Sequence, residues 1–422
     1  MKLYRANILF TPTPDAFKVL EHGYIAVNDH GLVEGVYDQL PAMYNGLPVK
    51  DFGDKLLIPA MNDLHVHAPQ YRNQGIAMDL ELLPWLQTYT FPEESKYKDL
   101  AYAEKMYRRF VRDLWAYGTM RTVAFATIHL PASKLLADIF TEAHMGAMIG
   151  LVGMNRNGPD TLSNTTEDVV RDTEALMNHL KGNKLVSAIV TPRFVPSCTP
   201  DMLDALGALA KKYNLPVQSH LSENRSEIAW VQELEPESTC YGDAYRRHGL
   251  FGDTPTLMAH CCYTEGEELR LMKEHNVFVV HCPTSNCNLA SGMAPIRSFL
   301  DAGVPVALGS DISGGHHLSM FEVLRYVIQI SKLKYAETKG ELKFLTLSEA
   351  FYLATKSGGS FFGKVGSFEN GYAFDALLID DSELNIDNYS LPHRLERYVY
   401  LGDDRQIVKR FCAGKEIKEP FV

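Results

Sequence analysis

The chain has 422 residues, 46% of them hydrophobic, and carries a formal net charge of −11. That length exceeds one small core and suits either a large barrel or two to three units, and the apolar content is that of a globular protein. The acidic balance lacks the basic clusters of a nucleic-acid footprint, and no run of about 18 uncharged apolar residues offers a membrane span.

The opening stretch MKLYRANILFTPTPDAF has no sustained apolar run and no small-residue cleavage site, so it does not read as a signal peptide. GYIAVND and GLVEGVY then read as short strands bounded by Gly and Asp turns. Eight short apolar runs follow: LLIPAMNDLHVH, TVAFAT, AMIGLVGM, SAIVTPRF, PVQSHLSE, TLMAHCCY, VFVVHCPTSN and PVALGSDI. Amphipathic stretches such as TPDMLDALGALAKKY and EGEELRLMKEH lie between them. This alternation predicts an α/β fold of parallel strands with helical crossovers. Eight units fit a closed (β/α)8 TIM barrel, and an open doubly wound sheet is the alternative. DALLID, RYVYLG and QIVKRFCAGKEI near the end read as strands again, with GDDR as a turn. The seven cysteines form no C-x-x-C pair and are odd in number. That predicts no disulfide framework and a reducing, cytoplasmic compartment.

Polar residues of ligand type stand at the C-terminal ends of these runs. The first ends in His65 and His67, the fourth in Arg193, and the fifth in His220 and Glu223. The last three end in His260, His281 and Asp311. Barrel enzymes build their active sites at that end of the strands. An H-x-H pair on a strand puts both imidazoles on one face. With His220 and Asp311 it makes a plausible mononuclear site for Zn2+, with Fe2+ as another candidate, one per chain. Such a metal lowers the pKa of a water to about 7. Glu223 is either a proton shuttle for that water or an acid at the start of the next helix. His260 either orients the attacking water or substrate, or is hydrogen-bonded within the barrel. The fourth run ends in TPRF, with no lysine that could be carbamylated to bridge two metals. Arg193 cannot ligate, which favours one metal and leaves its fork free for a substrate bearing acceptors. Burial as inert packing is expected of the cysteines.

Together HVH, HLSE, AHCCY, HCPTSN and LGSDISGG resemble the amidohydrolase superfamily over nearly the whole chain. The resemblance implies a (β/α)8 barrel at 59–365. It also implies a small β-sandwich built from both chain ends, 1–58 and 366–422. Within the superfamily, HAPQY, LLPWLQTYTFPEESKY, TPRF, SHLSENRSEI, MAHCCY and YLGDDRQI are most similar to the guanine deaminase family. That likeness implies zinc on His65, His67, His220 and Asp311, with Glu223 as shuttle and Asp311 assisting. It implies a purine held by Gln70, Arg193, Phe194 and His260, hydrolysed at C2 to xanthine and ammonia, in a cytoplasmic homodimer. Gln70 offers a donor and an acceptor, Arg193 donors only, and Phe194 a face for stacking. Trp85 and Phe91 either close the site or pack as ordinary loop residues. Cys261 and Thr284 stand where that family often has Gly and Asn, which bears on pocket shape. The alternatives are a related deaminase (of cytosine, 8-oxoguanine, ammeline or an adenosine-type substrate) and a metal-free assembly protein of the same fold.

Overall fold

The computed structural model describes residues 1–421. Strands β1 (Lys2–Thr13), β2 (Ala16–Val27), β3 (Val33–Tyr37) and β4 (Val49–Pro59) come first. A single residue, Ala60, separates β4 from β5 (Met61–His67). Next come β6 (Thr119–Phe125), β7 (Gly146–Gly150), β8 (Val152–Gly153), β9 (Val186–Ala188) and β10 (Thr191–Pro192). Then follow β11 (Val217–Leu221), β12 (Thr256–His260), β13 (Phe278–His281) and β14 (Val306–Leu308). The chain ends on β15 (Ala376–Ile379), β16 (Ile407–Cys412) and β17 (Lys415–Glu416).

The two chain ends meet in one seven-stranded mixed sheet, ordered β17-β16-β15-β4-β1-β2-β3. Strand β15 runs antiparallel to β4, so the C-terminal strands add directly onto the N-terminal ones. Three strand spacings separate β1 from β16, about 14 Å in a flat sheet. Yet the Tyr4 and Phe411 rings lie 5.6 Å apart, with Phe374 against both. The sheet therefore curls across its own apolar face, helped by bulges in the β1–β2 pairing.

Between these ends lie two four-stranded parallel sheets, β5-β6-β7-β9 and β11-β12-β13-β14. Backbone hydrogen bonds between Val190 and both Pro216 and Gln218 link one pair of margins. The Asp311 N–H to His65 and the His67 N–H to Ile312 link the other pair. Gly309 permits that second approach, because a Cβ there would meet His65 Cβ at 2.8 Å. Leu64, Val123, Leu257, Val280 and Ala307, from five strands, and Ile189, just after β9, pack together between the sheets. Helices cover the outside. In Leu100–Ala116, Ala103, Met106, Tyr107, Phe110, Val111 and Leu114 recur at helical spacing and are buried. Each large side chain so buried contributes roughly 1.5–3 kcal/mol.

One expected strand is a helix. RYVYLG lies at the end of helix Leu391–Leu401, whose first turn carries Pro392. Leu391, Leu395, Tyr398 and Val399 are its buried apolar residues, at intervals of four, three and one, so the short β-branched and aromatic run is one stripe of a helix rather than an alternating strand. Among the described residues no helix is long and apolar enough to cross a membrane.

Candidate metal and catalytic site

The site is built where parallel strands end. Along β5 the pairing with β6 shifts register between Asp63 and Val66, placing Leu64 and His65 opposite the single Val123. This bulge breaks strict alternation. Leu64 joins the inner apolar layer, and His65 and His67 still reach inward above it, each against Phe125. The turn beneath His65 is held by Asp63, whose carboxylate accepts from the His65 N–H and from the Ser310 N–H and hydroxyl. Burial pushes the Asp63 carboxyl up to about 7, against the pull of the Ser310 hydrogen bonds. Asp63 thus fastens the strand carrying the H-x-H pair to the loop carrying Asp311.

His220, at the end of β11, faces the pair. Its Nε2 lies 3.1 Å from His67 Nε2, while its Nδ1 donates to the Arg193 carbonyl at 2.6 Å. A carbonyl can only accept, so Nδ1 carries the proton and Nε2 presents a lone pair. Asp311 Oδ1 stands 3.2 Å from His65 Nε2 and 3.5 Å from His67 Nε2. Metal bonds of 2.0–2.1 Å in a tetrahedron put ligand atoms roughly 3.4 Å apart. The three distances His67–His220, His65–Asp311 and His67–Asp311 have that spacing, and His65 Nε2 is buried without a hydrogen-bond partner. The set therefore fits a single divalent ion of the zinc type.

Burial lowers the pKa of His65, and it lowers His67 and His220 well below the usual value, which keeps the imidazoles neutral. Burial alone would lift Asp311, but His65, then His260 and the Ser285 hydrogen bond together outweigh it and hold the carboxyl at about 2. Cys282 Sγ shares a cluster with His65 and Asp311. Burial pushes that thiol well up, and it donates to the Val280 carbonyl, so it is the poorer donor.

Glu223 follows β11. One oxygen lies 3.4 Å from His260 Nε2, and the other accepts the Ser291 hydroxyl at 2.8 Å. Its carboxyl is raised by burial despite the nearby His260. His260 Nδ1 donates to Asn286 Oδ1 at 2.9 Å, turning Nε2 toward Glu223 and Asp311, the latter at 3.8 Å. Burial opposes a charge on His260, but Glu223 and Asp311 prevail and raise its pKa. His260 and Asp311 both have left-handed backbone, φ 73° and 49°. Such strain at non-glycine residues clusters at functional sites.

The cavity is lined by His67, Gln70, Arg193, Phe194, His220, Glu223, His260 and Asp311, so eight of the nine residues expected from the sequence border one space. The ninth, His65, lies buried beside them with its ring 4.8 Å from that of His220. Leu82, Trp85, Leu86, Glu227 and Leu289 complete the wall. Trp85 belongs to the short helical turns after β5, which pack an apolar cluster over Phe125 and Leu289. Its buried indole N–H has no protein partner. Phe91 lies under the Arg193 guanidinium, 5.1 Å away. His281 is not brought in; it borders a separate crevice with Ile296, Arg297 and Val327.

Several residues at the site carry no signal in the sequence. Glu94 binds Arg193 through both oxygens, at 2.7 and 3.2 Å, and accepts from Gln70 Nε2 at 2.8 Å. Its neighbour Glu93 instead pairs with Lys96, Arg72 and Tyr102. Nothing in PEES tells the two apart. Glu227 accepts from the Glu223 and Asn224 N–H groups and from the Tyr241 hydroxyl.

Residues 56–417 match the model of the Amidohydrolase family. The guanine deaminase of Dictyostelium discoideum is 38% identical, the match covering 99% of this chain and 98% of that protein. A crystal structure of guanine deaminase from C. acetobutylicum with bound guanine in the active site superposes with a TM-score of 0.97. It is 51% identical, covering 99% of this chain and 100% of that one. An adenosine deaminase from Xanthomonas campestris with bound zinc shares the fold, at a TM-score of 0.87 and 23% identity, over 99% of this chain and 94% of that one.

Proposed function

Since the chain belongs to the amidohydrolase family, we infer from the site that it deaminates guanine hydrolytically to xanthine and ammonia. One observation carries the reading. Gln70, Arg193 and Phe194 line the same cavity as Glu223, His260 and Asp311, in a chain 51% identical to a protein crystallised with guanine in its active site. Purine edges present alternating donors and acceptors, which an amide and a guanidinium answer, and Phe194 offers a ring face.

His65, His67, His220 and Asp311 would hold the metal, proposed as one zinc ion per chain. When bound, the metal supplies a water acidic enough to be deprotonated near neutral pH. Glu223 takes the proton from that water as it adds to C2 of guanine, and passes it to the neighbouring ring nitrogen. His260, aligned by Asn286, fixes the water's approach. Asp311 and Glu223 then move the remaining proton of the hydroxyl added at C2 to the exocyclic nitrogen. The C2–N bond breaks, ammonia leaves and the C2 carbonyl of xanthine forms. Leu82, Trp85, Leu86 and Leu289 keep bulk water from the reacting face.

We extend the reading to the architecture. The hydrogen bonds joining both margins of the parallel sheets support one closed eight-stranded barrel over 59–365. The curled terminal sheet supports a small β-sandwich from 1–58 and 366–422. A purine as the only partner besides a second copy in a cytoplasmic homodimer completes the proposal, on the family likeness.

The test is ammonia release from guanine, cytosine, adenine and 8-oxoguanine by metal-loaded protein. Guanine should be the preferred substrate. Turnover of the others without guanine would overturn the assignment.

A further inference from the structure

We propose that Glu94 is a positioning residue that makes the purine pocket selective for neutral over anionic ligands. The inference rests on the guanine reading above. Glu94 ends the short helix Phe91–Glu94 and is 3% exposed. Its carboxylate faces two side chains that border the cavity. Both oxygens accept from Arg193, and Oε1 also accepts from Gln70.

Two consequences follow. The first is orientation. Gln70 Nε2 donates to Glu94 while its Oε1 accepts the Ser313 N–H at 3.1 Å. A flipped amide would set oxygen against carboxylate and N–H against N–H, so the two neighbours allow one orientation. Gln70 Oε1 also accepts the Ser313 hydroxyl at 3.5 Å, so the amide offers the ligand its one remaining N–H. The Arg193 fork is likewise held in plane by the two-pronged contact and stacks on Phe91.

The second consequence is charge. A buried guanidinium standing alone would attract a purine anion strongly. Paired with Glu94, Arg193 adds no net charge to that wall. Glu223 and Glu227, also on the wall, supply no positive charge of their own. An anionic purine entering here loses its hydration and gains no compensating cation from the Arg193–Glu94 pair, leaving His260 and the bound metal as the only cations, whereas a neutral purine needs only the hydrogen bonds.

The experiment uses metal-loaded wild type, Glu94→Gln and the double variant Glu94→Gln/Arg193→Gln. Calorimetry measures Kd for urate, a purine monoanion at neutral pH, and for hypoxanthine, which is neutral there. Guanine turnover is followed separately. In wild type urate should bind about tenfold or more weaker than hypoxanthine. In Glu94→Gln the urate-to-hypoxanthine ratio should fall about tenfold, and the loss with guanine should appear in KM more than in kcat. The double variant, neutral again, should return the ratio toward wild type. A ratio near one in wild type overturns the proposal, as does an unchanged ratio in Glu94→Gln. If Glu94→Gln does not fold, the wild type and the double variant decide: a ratio that falls when both charges are removed also overturns it. Failure of wild type to deaminate guanine would instead overturn the functional reading.

Discussion

Glu223 and His260 face each other across 3.4 Å, and both are pinned from behind, Glu223 by Ser291 and His260 by Asn286. The carboxylate is thus held at a fixed point beside the ligand cluster, as a proton carrier requires. Glu223→Gln keeps the shape and removes the proton chemistry. Turnover should fall roughly 10²–10⁴-fold with metal content unchanged. Retention of more than about a tenth of kcat, measured on metal-replete protein, would remove Glu223 from the proton path.

Ser291 offers a subtler probe. Burial raises the Glu223 carboxyl, and the Ser291 hydroxyl bond partly offsets that by favouring the carboxylate. Ser291→Ala removes the offset, so the pKa rises further. The acid limb of kcat/KM against pH should move up by about one to two units, since a hydrogen bond to a charged group is worth about 1.5–3 kcal/mol. An unmoved limb would mean that Glu223 does not set it.

How far the sequence reveals this site depends on which residues local pattern controls. His65, His67, His220, His260 and Asp311 end short apolar runs, and strand ends are where parallel sheets gather side chains, so their meeting is legible. His281 ends a run equally well but points into another crevice, because which way a strand end faces depends on its twist and register. The bulge between Asp63 and Val66 leaves no mark in NDLHVH. Glu94 sits on consecutive short turns whose path is set by packing over Phe125 and Leu289, not by periodicity. Helix Leu391–Leu401 hides in RYVYLG because its stripe becomes clear only when Leu391 and Leu395 are counted in.

The metal cluster predicts a contrast between two neighbours. Asp311 is a carboxylate at any ordinary pH, whereas the Cys282 thiol is held protonated by burial. Cys282→Ala should therefore retain full metal stoichiometry. Asp311→Ala should weaken metal binding by more than the roughly 10–100-fold typical of losing an outer partner. Mass spectrometry of the metal content after dialysis against a chelator reads both. Equal loss in the two variants would assign sulfur to the ligand set.

Arg193→Lys tests recognition. The ammonium of lysine cannot span both oxygens of Glu94 and also present a planar edge to the purine. KM for guanine should rise about tenfold or more, with a smaller change in kcat. Steady-state kinetics on guanine decides it, and an unchanged KM would place the substrate away from Arg193.

Glu227 makes stability depend on pH. Burial, and then the nearby Glu223, push its carboxyl up to about 7 from its ordinary value of 4.5. Between those values the folded chain keeps a proton that the unfolded chain has released, so this group lowers stability as pH rises through the window. Glutamine has no such proton. It can still turn its oxygen to the Glu223 and Asn224 N–H groups and its amino group to the Tyr241 oxygen. The Tm of wild type minus that of Glu227→Gln should accordingly be greatest near pH 5 and shrink toward pH 7.5. Calorimetric melting at constant ionic strength across that range measures it. Parallel curves for the two proteins would show that Glu227 ionises alike in the folded and unfolded states.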